Sequence, residues 1–195
     1  MKYFFASDIH GSAFYCRKML ESFKESGAER IVLLGDILYH GPRNDLPKDY
    51  APKEVIAMLN PLRDKILAVR GNCEAEVDQM VLDFPVLADY AFLVLNGICF
   101  YATHGHVYNA LEDGKNLPPM SEGDVLVHGH THIPVAERIE LNSVKGSSGK
   151  RHITVLNPGS VSIPKGGFPN SYGLLTDRRF DISDFDGNII KSIEL

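Results

Sequence analysis

The 195-residue chain has no tryptophan, only three cysteines, and no apolar run near the ~20 residues that a membrane span needs. Cys16, Cys73 and Cys99 show no paired spacing, and their odd count suits a reducing cytoplasm better than a disulfide framework. Cys16 falls in a helical pattern and Cys99 in a strand, where a free thiol acts as a small buried hydrophobe. Positive charge is short as well. Twenty Lys and Arg against 25 Asp and Glu give a net charge of −5, which leaves no broad footprint for duplex nucleic acid. A small phosphate-bearing partner stays open, because bound cations would set the local field. Before Ser7-Asp8 the chain offers one Lys and the short run Tyr3–Ala6, too little for a signal-peptide core. No membrane association is expected, and the number of subunits is left open.

The length suits one domain, 1–195, with a sizeable core. The first half alternates strand and helix. Ser12 is placed to cap a helix that turns Cys16, Met19, Leu20 and Phe23 to one face and ends at Ser26-Gly27. Strand Arg30–Leu34, a turn-rich loop Gly41–Pro52, helix Lys53–Leu62, strand Lys65–Val69 and a short helix Ala75–Leu82 follow. Such units imply parallel strands with right-handed crossovers. The second half is mostly strands: Ala91–Leu95 and Ile98–Ala102 around the hairpin signal Asn96-Gly97, then Asp124–Val127, Val135–Ile139, Arg151–Leu156, Tyr172–Thr176, Arg179–Ile182 and Ile189–Ile193. Asn142–Lys150 reads as a flexible hairpin tip. The expected class is α/β, a sandwich of two sheets with helices outside.

The polar residues beyond the apolar runs carry the chemistry. Asp8-Ile9-His10, Gly35-Asp36, Gly71-Asn72, Thr103-His104-Gly105-His106 and Gly129-His130-Thr131-His132 follow Tyr3–Ala6, Ile31–Leu34, Ile66–Val69, Ile98–Ala102 and Val125–Val127. Buried strands deliver side chains in this way to the carboxyl edge of a sheet, where ligand sites of α/β proteins lie. In an extended segment, residues i and i+2 share a side, so Asp8 with His10, and His130 with His132, can reach one ion. Asp, His and Asn from five strand ends point to a shared polynuclear metal site. Imidazole, carboxylate and amide ligands together suit Mn²⁺, Fe²⁺, Ni²⁺ or Zn²⁺ more than Mg²⁺ or Ca²⁺.

In this order, Asp8-x-His10, Gly35-Asp36, Gly71-Asn72, His104 and Gly129-His130-Thr131-His132 resemble the calcineurin-like metallophosphoesterase superfamily, from residue 2 to about residue 175. Gly41-Pro42-Arg43-Asn44, Val69–Cys73, Asn157-Pro158-Gly159-Ser160 and Pro164–Gly167 narrow the resemblance to its small bacterial YfcE-type phosphodiesterases. The resemblance implies a four-layer α-β-β-α sandwich of two mixed sheets flanked by helices. It also implies two divalent ions, with manganese favoured. Asp8, His10 and His132 would hold one ion, Asn72, His104 and His130 the other, and Asp36 would bridge them. Asp36, Asn72, Cys73 and His104 are the implied catalytic set. The implied reaction is hydrolysis of a small phosphodiester by a hydroxide lying between the ions. A phosphomonoesterase is the rival activity. A protein-binding scaffold of the same fold is the rival outside enzymology, although all seven ligand positions carry competent residues.

Cys73 departs from the pattern, because many relatives carry His after Gly-Asn and that His protonates the leaving group. A thiol is a poor substitute, although nearby cations would lower its pKa; a space-filling role is the other reading. His106 and Arg43 are candidate substrate-binding groups. His128 and His152 read as structural and exposed, respectively. Hydrolysis of a chiral phosphorothioate diester in ¹⁸O water should proceed with a single inversion, and retention would demonstrate a covalent intermediate. Cys73→His should raise rates selectively on esters with poor leaving groups; unchanged rates there would place protonation elsewhere.

Overall fold

The computed structural model describes residues 1–109, 117–141 and 150–195. Two mixed sheets pack face to face. In the first, β1 (Lys2–Ala6) runs parallel to β2 (Arg30–Leu33), and β2 parallel to β3 (Ile66–Ala68). On the other side of β1, β9 (Ser171–Thr176), β10 (Arg179–Asp184) and β11 (Ile189–Glu194) continue the sheet with antiparallel pairing. The second sheet has the order β4-β5-β6-β8-β7, with β4 (Tyr90–Leu95), β5 (Ile98–Thr103), β6 (Val125–Val127), β7 (Val135–Leu141) and β8 (Arg151–Asn157). Its two inner pairs are parallel and its two outer pairs antiparallel.

Alternation along β1 assigns the layers. Phe4 and Ala6 face the flanking helices, together with Ile31 and Leu33. Phe5 faces the second sheet with Val32 and Leu34, against Phe100, Val125 and Val127. The outer side of the second sheet carries Leu126, Ile153 and Val155 beneath Met120. The connection from β5 to β6 includes residues 110–116, which lie outside the described residues, as does the expected tip Asn142–Lys150 except for Lys150.

Helix α1 (Ala13–Ser26) begins where the Ser12 hydroxyl accepts from the Tyr15 N–H at 3.3 Å, and it ends at Gly27 in the left-handed conformation, φ +66°. Cys16, Met19 and Phe23 face the core as the spacing requires. Helix α2 (Pro52–Leu59) is shorter than the expected Lys53–Leu62. Pro61 has no N–H to donate and would crowd the preceding turn, so the chain tightens into a 3₁₀ segment, Asn60–Lys65. Helix α3 (Glu76–Gln79) is also shorter than Ala75–Leu82. Val77, Met80 and Val81 are exposed there, so no apolar stripe is buried by extending it. At Asn96-Gly97 both residues have positive φ, 49° and 79°, the geometry of a tight hairpin turn. No helix among the described residues is long and apolar enough to cross a membrane.

The sheets are joined through Phe5, whose ring lies 5.3 Å from that of Phe180 and 6.1 Å from that of Phe100. Phe5→Ala should cost about 3–5 kcal/mol in denaturant unfolding; a loss under about 1 kcal/mol would show that the inter-sheet core closes over the gap.

Candidate metal centre

The parallel strands β1, β2, β3, β5 and β6 all end at one edge of the sandwich. Within one to five residues of those ends lie the seven ligand candidates. Two groups form there. In one, Asp8 Oδ1 stands 3.2 Å from His132 Nε2 and 3.6 Å from His10 Nε2. In the other, His104 Nε2 stands 3.1 Å from Asn72 Oδ1 and 3.5 Å from Asp36 Oδ1. Asp36 joins them, since its second oxygen, Oδ2, is 3.6 Å from His10 Nε2. The His130 ring packs 5.1 Å from that of His104, beside the second group.

The backbone reaches this arrangement by a different route from the extended alternation expected. Asp8, His10, Asp36, His130 and His132 all have φ between +49° and +65°. They occupy sharp turns just past the strand ends, each in a conformation costing non-glycine residues ~1–3 kcal/mol. Two close approaches hold the turns together. A Cβ on Gly71 would collide with Asp36 Oδ1, and one on Gly129 would collide with Ser7 Oγ. Asp8 is fixed at its carbonyl by the Ser160 and Ser162 hydroxyls, each donating at 3.0 Å. Asn157 donates to Gly129 O at 2.8 Å and to Thr131 Oγ1 at 3.0 Å, which fixes the turn carrying His130 and His132.

The ring orientations decide what the cluster can bind. His10 Nδ1 donates to Tyr39 O at 2.8 Å, His104 Nδ1 to Leu34 O at 2.6 Å, and His132 Nδ1 to Ile163 O at 2.5 Å. A carbonyl can only accept, so each Nδ1 carries a proton, and in the neutral ring the lone pair turns inward at Nε2, open to a proton or a metal ion. His10 Nε2 and His132 Nε2 then face each other at 3.4 Å. Asp8 Oδ1, fully buried beside them, has no hydrogen-bond partner. Converging lone pairs and an unpartnered carboxylate oxygen require a positive charge among them. The proton affinities agree. Burial works against a charge on His104, but its bond to Asp36 and the charges of Asp8 and Asp36 raise its pKa to about 9. Burial likewise opposes ionisation of Asp8, yet His10 and His132 hold it well below the usual carboxylate range. The residues present fit divalent cations.

Cys73 stands at the mouth of the cluster, its sulfur within 4.8 Å of ligand atoms of His10 and Asp36. Burial, then the Asp36 carboxylate, push its thiol pKa up, the opposite of what cations alone would do. Cys73 N–H also donates to Asp36 Oδ1 at 2.9 Å, so its backbone helps position Asp36. His106 packs 5.4 Å from the His104 ring and 6.2 Å from that of His130, and burial lowers its pKa. Arg43 lies on a cleft of about 750 Å³ that opens onto the cluster. His128 falls one residue beyond β6, fully buried, its pKa lowered by burial to about 4. His152 is exposed on β8, between Glu122 and Glu140.

Sequence reading passed over Glu74. Its buried carboxylate accepts from Asp36 N at 2.8 Å, from Ile37 N at 2.7 Å and from Gly71 N at 2.5 Å. One acid thus binds the β2 turn to the β3 turn. The available signal was its position three residues after Gly71, the spacing at which a side chain can cap its own turn. Glu74→Gln places an amide donor against backbone N–H groups. It should weaken Mn²⁺ binding about 10–100-fold by calorimetry while leaving the far-UV circular dichroism intact; unchanged affinity would show that Asp36 holds its place without it.

The profile of the calcineurin-like phosphoesterase superfamily domain matches residues 1–179. The chain is 50% identical over 175 residues to phosphodiesterase YfcE of Escherichia coli K12, covering 90% of this chain and 87% of that protein. The solved structure of the E. coli phosphoesterase YfcE superposes with a TM-score of 0.88 at 46% identity, covering 100% of this chain and 99% of that one. Vps29 of Entamoeba histolytica, solved with zinc, shares the fold at 17% identity and a TM-score of 0.54, over 100% of this chain and 99% of that one. With a family match across most of its length and a half-identical relative, the chain belongs to the calcineurin-like phosphoesterase superfamily.

Proposed function

We propose that the protein is a metal-dependent phosphodiesterase that hydrolyses a small phosphodiester at the strand-end cluster, with the reducing cytoplasm its place of action. The reading is carried by Asp36, whose two oxygens separately face the His10 and His104 groups at 3.6 and 3.5 Å. A carboxylate is the side chain able to lie between two cations, having two oxygens and a negative charge. Asp8, His10 and His132 would hold one divalent ion; Asn72, His104 and His130 the other; Asp36 both. Manganese is the first choice on resemblance, and the ligand types also admit Ni²⁺, Fe²⁺ and Zn²⁺. When bound, such a pair supplies water that is acidic enough to ionise near neutrality and neutralises phosphoryl oxygens.

The chain's own residues supply the rest. The carbonyl anchors at Tyr39, Leu34 and Ile163 fix the Nδ1–H position and aim each Nε2 at the cluster. The cleft beside Cys73 and Asn72 admits the ester. Cys73 puts a thiol where many relatives have an imidazole acid, so good leaving groups should be favoured over alkyl alcohols. The half-identical relative is itself named a phosphodiesterase, which supports the diester over the monoester. The likeness to Vps29 concerns the fold alone, and the complete ligand set supports catalysis over a scaffold role.

The deciding experiment compares matched aryl diesters and monoesters with Mn²⁺, Ni²⁺, Zn²⁺ and Mg²⁺. Diester turnover should exceed monoester turnover, and chelation should abolish it. Asp36→Asn and His104→Ala should each lower kcat/KM at least about 100-fold. Wild-type rates in both variants would refute the site, and a monoester preference would install the rival activity.

A further inference from the structure

We propose that the cleft beside the cluster is a subsite for a second anionic group on the substrate, so that the favoured diester carries one arm bearing both a flat ring and a phosphate-like dianion. This rests on the phosphodiesterase reading and specifies its substrate class. The argument begins with charge. A diester brings one negative charge, and two divalent cations beside Asp8 and Asp36 already exceed it. Yet Arg43 and Lys165 also line the cleft. Both are exposed, and neither has an ion pair or side-chain hydrogen bond among the described residues. The lining carboxylates are committed elsewhere. Asp36 belongs to the cluster, and Glu74 accepts from three backbone N–H groups. The result is a local surplus of two cations on a protein of net charge −5, where general attraction of anions is absent.

The two cations project from ordered backbone. Arg43 sits in a turn closed by Asn44 N–H to Gly41 O at 3.4 Å and by Asn44 Nδ2 to His40 O at 2.9 Å. Lys165 donates its backbone N–H to His132 O at 3.1 Å, and its own carbonyl accepts from Phe168 N–H at 3.3 Å. The Lys165 loop is thus tied to His132, and the Arg43 turn follows Tyr39, whose carbonyl is bonded to His10, which sets the distance between subsite and scissile bond. Tyr39 adds an aromatic face to the same cleft, 41% exposed, while its carbonyl is held by His10. A ring on the substrate arm has a surface to stack on, and a dianion beyond it meets a guanidinium and an ammonium. At about 750 Å³ the cleft has room for both, far beyond the needs of one phosphoryl group.

The test uses two diesters with the same leaving group, 4-nitrophenyl phenyl phosphate and 4-nitrophenyl 4-phosphonophenyl phosphate. With Mn²⁺ the full-length protein should show about a tenfold higher kcat/KM for the phosphonate-bearing diester, expressed in KM, the yield of two partly solvated ion pairs. The R43Q/K165Q variant should bring that ratio to about one, and Tyr39→Leu should slow both diesters while preserving it. In parallel, metal-free protein should bind 4-hydroxyphenylphosphonate by ligand-observed NMR, and the double variant should lose that binding. A wild-type ratio of one or less, with both diesters turned over, overturns the subsite and leaves the phosphodiesterase reading intact. If neither diester turns over, the phosphodiesterase reading fails, and absence of phosphonate binding to the metal-free protein overturns the subsite as well.

Discussion

Everything at the carboxyl edge of this sandwich depends on an unfavourable meeting of like partners. Asp8 and Asp36 are buried among imidazoles whose protons point away, each held at Nδ1 by a backbone carbonyl. The lone pairs of His10, His132 and the unpartnered Asp8 Oδ1 converge, and such a cluster is costly unless a cation enters. The surrounding structure makes sense as the apparatus that enforces the meeting. Ser160 and Ser162 hold the Asp8 carbonyl, Asn157 holds the turn before His132, and Glu74 staples the Asp36 turn to Gly71. None of these four residues is one of the ligand candidates; they fix the backbone that carries the ligands.

The same constraint explains the strained turns. Five ligand candidates adopt left-handed backbone, which an isolated peptide would abandon. They persist because the core over-determines them. Phe5, Val32 and Val127 lock the strands immediately upstream, leaving each turn one or two residues in which to reverse direction. Burial of apolar area thus sustains local strain, and the strain places polar atoms where no regular strand could put them.

Much of this was legible in the sequence, and the limits have physical causes. The strands were visible because buried parallel strands are short apolar runs, and the ligand candidates because they directly follow those runs. The alternation argument for Asp8 and His10 reached the right proximity through the wrong geometry; side-chain parity describes an extended chain and says nothing of a turn with positive φ. The early end of α2 was readable from Pro61, whose missing N–H outweighs the apolar face that continues to Leu62. Glu74 was hidden for a deeper reason. Its importance lies in three backbone N–H groups from two separate strands, and backbone donors leave no mark in a sequence. Cys73 was noticed for its side chain, yet the structure also gives its N–H a share in holding Asp36.

The opposite edge of the sandwich has its own clasp. In the tight turn between β4 and β5, the Asn96 side-chain amide donates to Met1 O at 3.1 Å and to Asp177 O at 2.8 Å, bonding a hairpin of one sheet to two segments of the other. Asn followed by Gly is also the dipeptide whose amide hydrolyses most readily as a protein ages. Conversion to aspartate would remove both donors at once and set a negative charge against two carbonyl oxygens. Such a change would loosen the fastening between the layers at the edge opposite the ligand cluster while leaving every ligand's own bonds in place.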